Sequence, residues 1–327
     1  MNQPKIGVLL INLGTPENPS PRAIRRFLRP FLADPRVIDL PRWLWLPILH
    51  LFVLPFRPYK IRKLYQSIWT EQGFPLHTIS HEQERALQDL LTKRGVDCLV
   101  QVGMLYGHPS LAGCLDRFWQ AGVEQLFLLP LFPQYSASTT AAGFDAFAAY
   151  CKDKKTLPQI HLIPHYYQES AYIEAVAQTI QLEADELLLF SFHGIPKRYV
   201  TAGDPYYSHC KKTAKAIADQ LGLDDHEWTV AFQSRFGSEE WLTPYTDQTL
   251  QALAANGQKK IAVVCPGFAT DCLETLEEIN QTNRKLFLAA GGSHYRYLPA
   301  LNARPEHIAF LADVICKTQT PADWRQP

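Results

Sequence analysis

The sequence predicts an α/β protein built on parallel sheets and divided into two similar halves. Three observations predict it. Short apolar runs without polar alternation recur along the 327 residues, separated by amphipathic helical stretches. A chain of this length has room for two domains. The halves also rhyme. Ile11-Asn12-Leu13-Gly14-Thr15-Pro16 ends the first strand of one, and Phe192-His193-Gly194-Ile195-Pro196 ends the first strand of the other. Leu129-Pro130-Leu131-Phe132-Pro133 then parallels Val263-Val264-Cys265-Pro266-Gly267-Phe268.

Strands are predicted near 5–12, 98–104, 125–132, 159–164, 186–192, 228–233, 260–266 and 295–298. Helices are predicted near 21–32, 79–94, 110–121, 140–151, 170–183, 208–221, 245–255, 272–287 and 305–317. The polar stretch from Cys151 to Pro158 suggests a boundary, giving domains 1–155 and 156–327. The last helix is expected to pack back on the first domain. Between equivalent points the first half carries about 47 extra residues, assigned to an insertion over 36–80. Its core, Trp43 to Phe56, is apolar and aromatic. It holds Pro47, Pro55 and His50, and is followed by Arg57, Lys60, Arg62 and Lys63. It is too short and broken to span a bilayer. Residues 40–65 instead read as an apolar lip or an interfacial surface.

Composition excludes some classes. Lys and Arg number 32, as do Asp and Glu, so net charge gives no sign of nucleic-acid binding. The seven cysteines are scattered without a C-x-x-C pair, which suggests reduced thiols in the cytoplasm. The start reads as no signal peptide. Neither G-x-G-x-x-G nor the phosphate-loop pattern occurs.

Two stretches carry candidate chemistry. Glu186 to Phe190 reads as a buried strand that runs on to His193 and is broken by Gly194 and Pro196. Ligands bind beyond the carboxyl ends of such strands, where an imidazole can take a proton or ligate a metal. After the strand at 260–266 come Asp271, Glu274 and Glu278. A helix would put all three on one face, with Asp271 as its cap. The two stretches suggest a histidine and a carboxylate row at one sheet edge.

At these residues the chain resembles ferrochelatase, over roughly 4–317. The motifs are Leu10 to Glu17, Pro133 to Thr140, Ser191-Phe192-His193 with Gly203-Asp204-Pro205-Tyr206, Gln233 to Gly237, Trp241 to Pro244, and Asp271 to Glu278. The resemblance implies two similar Rossmann-like domains, each a four-stranded parallel sheet flanked by helices, with the active cleft between them. It implies insertion of Fe(II) into protoporphyrin IX to make protohaem. His193 would be the essential base or metal-side imidazole and Glu274 its acidic partner, with Glu278 and Asp271 on a proton or metal path. Leu13, Tyr65, Tyr106, Trp241 and Phe268 would surround the macrocycle.

Departures qualify the match. Ala137 stands where cluster-bearing relatives have a cysteine, and only Cys316 lies near the C-terminal end, so no iron–sulfur cluster is expected. Leu13 replaces a tyrosine or methionine of some relatives, Leu105 an arginine, and Cys272 a histidine. A cobalt chelatase of corrin biosynthesis and a non-catalytic haem carrier stay open as alternatives, as does coproporphyrin III as substrate. Peripheral contact with the inner face of the membrane is expected, and oligomeric state is not readable.

Overall fold

The structure, a computed structural model, describes residues 5–319. The strands are β1 (Ile6–Asn12), β2 (Cys98–Met104), β3 (Gln125–Pro130), β4 (Gln159–Leu162), β5 (Glu186–His193), β6 (Trp228–Gln233), β7 (Lys260–Val264) and β8 (His294–Leu298). Helices of the first half are α1 (Pro21–Ala33), α2 (Arg42–Ile48), α3 (Leu54–Ser67), α4 (Pro75–Lys93), α5 (Leu111–Gln120) and α6 (Ala142–Cys151). Those of the second are α7 (Ser170–Ala177), α8 (Lys197–Thr201), α9 (Tyr206–Leu221), α10 (Thr246–Ala255), α11 (Arg284–Ala289) and α12 (Pro305–Gln319). Three π-helical segments, Leu49–Val53, Ala137–Ala141 and Glu274–Asn283, join or replace predicted α turns.

The strands form two four-stranded, all-parallel sheets, ordered β2-β1-β3-β4 and β6-β5-β7-β8. Both are wound alike, so the rhyme in the sequence is a repeat in topology. In each, the chain leaves the first strand to one side and returns to the other, which puts a switch point beside Asn12 and beside His193. β1 is buried along its whole length, as a strand covered on both faces must be.

Alternate residues divide the core. Leu9 and Ile11 pack with α5 and α6, whereas Val8 and Leu10 share one core with Phe190 and Phe192 of the second sheet. Tyr166, Tyr172, Ile217 and Phe310 fill the space between the sheets. β4 begins after the predicted boundary at 155/156 yet pairs with β3, so the chain of the first sheet continues to Leu162. The polar Cys151–Pro158 stretch is only the turn from α6 into that edge strand. α12 packs against α4, with Arg94 and Asp313 paired at 2.6 Å.

The insertion is helical despite its prolines. Pro58 lacks the N–H that would bond the Leu54 carbonyl, and Arg25 Nε of α1 donates to that oxygen instead, at 2.9 Å. Pro55 stands where the π-helical Leu49–Val53 passes into α3. α2 in turn satisfies the end of α1: Trp45 Nε1 donates to Leu32 O at 2.6 Å and the Arg42 guanidinium to Ala33 O.

Gly14 makes the turn after β1 with φ of +101°, and a Cβ there would stand 1.8 Å from the Tyr106 carbonyl oxygen. Gly222, the left-handed cap of α9, has φ of +69° and open space around it. Gly14→Ala should therefore cost about 3 kcal/mol or more, and Gly222→Ala only about 1 kcal/mol. Equal losses in urea unfolding would show that the Gly14 turn is not sterically fixed.

Candidate active site

β5 delivers His193 to the crevice at the carboxyl edge of the second sheet. Its Nδ1 lies 2.6 Å from the Gly194 carbonyl oxygen. A carbonyl only accepts, so Nδ1 carries the hydrogen and Nε2 keeps a free lone pair. The rings of Trp241 and Phe268 stand 6.3 Å and 6.5 Å from the imidazole, flanking it with apolar surface. Gly194 is small because the space is taken: a Cβ there would meet the Gln233 carbonyl at 3.0 Å and the Trp241 ring at 3.3 Å.

Gln233, in register with His193 on β6, ties the histidine strand to the carboxylate helix. Its Oε1 accepts from Ser191 Oγ at 2.7 Å and its Nε2 donates to the Glu274 carbonyl at 2.8 Å. Both ends of a buried amide are thus satisfied, which fixes the start of the π-helical segment against β6. Next in sequence, Ser234 donates its backbone N–H to Glu278 Oε1 at 2.8 Å, and its hydroxyl to Oε2. Burial, and after it the charge of Glu274, still push the Glu278 carboxyl up to about 7. Sequence reasoning assigned no role to Gln233 or Ser234. The signal was available, since both end a strand adjacent to that of His193.

Glu274 and Glu278 lie on one wide-turned helix, but Asp271 does not join them. It was expected to cap that helix and to extend the acidic row. Its buried carboxylate instead accepts from Thr275 Oγ1 at 2.9 Å, Asn302 Nδ2 at 2.7 Å and the Tyr297 hydroxyl. A buried carboxylate needs such donors; Tyr297 and Asn302 come from β8 and the loop after it, which spacing along one helix does not reveal. The α-helix predicted over 272–287 is also a π segment followed by the short α11. Such wide turns gather at functional sites.

The first half supplies the other wall. Leu13, Tyr65 and Tyr106 share an apolar cluster with Leu273 and Leu276. Tyr65 is buried, and burial, then Glu274 and Cys272, raise its proton affinity, so the phenol stays neutral beside the carboxylate. Tyr106 is 6% exposed and its hydroxyl donates to Asp34 at 2.8 Å. It therefore supports the wall from behind rather than opening onto free space. Cys272 is buried, and burial, then Glu274, hold its thiol protonated. Arg57 of α3 reaches the other half, its guanidinium 4.1 Å from the centre of the Phe236 ring. Its Nε is buried with no hydrogen-bond partner among the described residues.

The lip helices carry two apolar stripes. Trp45, Leu49, Leu54 and Tyr65 are buried, while Trp43, Leu51, Phe52, Phe56 and Tyr59 are more than 60% exposed. Among the described residues no helix is long and apolar enough to cross a membrane.

The arrangement brings an imidazole, two carboxylates and apolar side chains to one sheet edge. Comparisons with known proteins give the family. A family model described as Ferrochelatase matches residues 5–319. The coproporphyrin III ferrochelatase of Streptococcus mutans serotype c is 57% identical over 96% of this chain and 99% of its own. A ferrochelatase of Actinobacillus pleuropneumoniae serotype 7 is 54% identical over the same shares. Among solved structures, SirB from Bacillus subtilis with Fe3+ superposes with a TM-score of 0.57 at 11% identity, covering 77% of this chain and 94% of that one. That likeness shows the shared two-domain fold alone. The match along nearly the whole chain shows that it belongs to the ferrochelatase family, lyases that insert a metal ion into a porphyrin.

Proposed function

We propose that this enzyme inserts Fe(II) into protoporphyrin IX, releasing two protons and forming protohaem. The observation that carries the reading is the His193 tautomer: Nδ1 is committed to Gly194 O, so Nε2 keeps the lone pair of a base. Metallation removes two pyrrole protons, and the ring must bend to expose its nitrogen lone pairs. The apolar walls of Trp241, Phe268 and Leu13 supply contact area that can hold such a bent ring. Iron is the substrate, and a weak imidazole and carboxylate set lets it pass on to the macrocycle. Glu274 stands nearer the ring. Glu278 behind it, poised near neutral pH, takes up a proton and passes it towards solvent. Arg57, with its unpartnered Nε, offers a cation to a propionate at the ring edge.

A second reading is supported by a relative's name: the Streptococcus mutans protein is a coproporphyrin III ferrochelatase. Coproporphyrin carries more propionates, and the apolar walls of Trp241, Phe268 and Leu13 suit the less charged ring better. The reading includes no iron–sulfur cluster. Ala137 fills the loop position, where a cluster would need a thiolate. It also places the enzyme in the cytoplasm, with residues 40–65 touching the inner face of the membrane. Supporting this, residues 40–70 expose aromatic side chains and contain no Asp or Glu.

Anaerobic metallation of both porphyrins side by side, followed by absorbance, tests the substrate. Protoporphyrin should be turned over faster, and a preference for coproporphyrin III would replace the first reading by the second. His193→Ala should lower metallation about 100-fold or more with the fold intact. Glu274→Gln should lower it more than Glu278→Gln, and the reverse order would reject the path as drawn. Purified protein should contain no acid-labile sulfide; stoichiometric sulfide would place a cluster in it.

Glu278 also makes a pH prediction. In the unfolded chain its proton leaves near 4.5, and in the folded chain near 7. Its protonated form thus favours folding below about 4.5, and that contribution is lost as pH rises through about 7. Relative to Glu278→Gln, the parent should lose stability to urea between pH 5 and pH 7.5. The same substitution should flatten the rise of metallation with pH near 7. Parallel pH profiles for the two proteins would exclude this titration.

A further inference from the structure

The lip helices hold a charge pattern that metallation does not use. α1 and residues 40–70 together contain nine Lys and Arg and no Asp or Glu, in a chain whose net charge is zero. Arg25 and Arg29 of α1 line a groove of about 320 Å³ with His50, Leu54 and Pro55 of the lip. Arg25 is partly committed to the Leu54 carbonyl. Among the described residues, neither Arg29 nor His50 has a hydrogen-bond or ion-pair partner; the neighbouring Arg26 is spoken for by Glu17 at 2.7 Å. Two of the most exposed apolar side chains, Leu51 and Phe52, follow His50 directly on the same helical run. Phe56 and Tyr59 continue that stripe. Arg57, which crosses to Phe236, lies about 100° from Phe56 and 200° from Tyr59 around a helix. The stripe is therefore turned away from the side of the helix that meets the cleft.

We propose that this groove receives the phosphate headgroup of an anionic phospholipid while Leu51, Phe52, Phe56 and Tyr59 enter the interface beside it. The proposal rests on the membrane contact proposed above and gives it a specific ligand. Charge complementarity selects the occupant. A guanidinium and an imidazole N–H, both unpaired, match phosphate oxygens, and the apolar stripe alongside matches acyl chains. A second copy of this chain would bring the same nine cations against them.

Vesicles of phosphatidylcholine alone and of an equal mixture with phosphatidylglycerol test it by co-sedimentation with the full chain. The parent should bind the mixed vesicles. Arg29→Gln with His50→Gln should weaken that binding, about fivefold for the arginine, more than Lys63→Gln does, while porphyrin turnover in detergent stays at the parent level. Leu51→Ser with Phe52→Ser should weaken binding to both vesicle types. Failure of the parent to bind either vesicle would sink the membrane contact, and this groove with it. Binding that falls equally in Lys63→Gln would keep the contact but replace the groove by a diffuse field. Displacement by millimolar inorganic phosphate, but not by chloride of equal ionic strength, would make it a free-phosphate site. A stripe variant that changes only the oligomeric mass would make the face a contact between copies.

Discussion

The two strand edges face each other across a cleft because buried side-chain amides bolt the halves together. At the end of β1, Asn12 Nδ2 donates to Ser80 Oγ of α4 at 3.0 Å and reaches Thr270 Oγ1 of the other half at 3.4 Å. Gln83 of α4 closes the same joint. It accepts from Thr270 at 3.0 Å and donates to the carbonyls of Ala269 and Asn302. A second joint forms from Gln134, whose Nε2 reaches Thr213 Oγ1 at 3.0 Å and Pro266 O at 3.3 Å. Beside it, Asp204 accepts from Ser136 Oγ and the Ala137 N–H. His209, held neutral by burial with a pKa near 4, accepts from the Tyr135 N–H. Asn12, Ser80, Gln83, Gln134, Ser136, His209, Thr213 and Thr270 are buried, so a partner lost to any of them leaves an unsatisfied polar atom. The joints are thus specific as well as stabilising, and they fix where His193 stands relative to the lip.

The chemistry of the site follows from small local commitments. One carbonyl decides the tautomer of His193. One glutamine holds the π-helical segment to the histidine's neighbour strand, and one serine meets both oxygens of Glu278. Ser234 favours the carboxylate, whereas burial and Glu274 oppose it, and the outcome is a group poised near pH 7. Beyond it, Asp271 serves structure, tying the start of the carboxylate helix to β8 and the following loop.

The lip shows how one helix can serve two solvents. Its buried stripe is an ordinary core, anchored by Trp45 to the exposed carbonyl end of α1. Its outer stripe is apolar and exposed, and none of the described residues covers it. Proline does not interrupt the run, because Arg25 supplies the hydrogen bond that Pro58 cannot. Breaker rules read along the sequence miss such a substitution, since the donor comes from another helix.

The central strands β1, β3, β5 and β7 were legible in the sequence because strands buried on both faces must be short apolar runs; the edge strand β4 is exposed and was read from its place in the α/β alternation. The repeat of the halves was legible through matching strand-end motifs, and His193 through its place after a strand. The sequence also marked Glu274 and Glu278 as neighbours, since spacing on a helix survives the change from α to π turns. Asp271 departs from the acidic row because two of its partners, Tyr297 and Asn302, are set by where β8 runs. The boundary was drawn too early because sheet pairing, not local polarity, assigns β4 to the first half. Which lip residues face water, and which arginine is free, also came only with the fold. Periodicity gives a helix its faces, but only the neighbour packed against each face decides which one is covered.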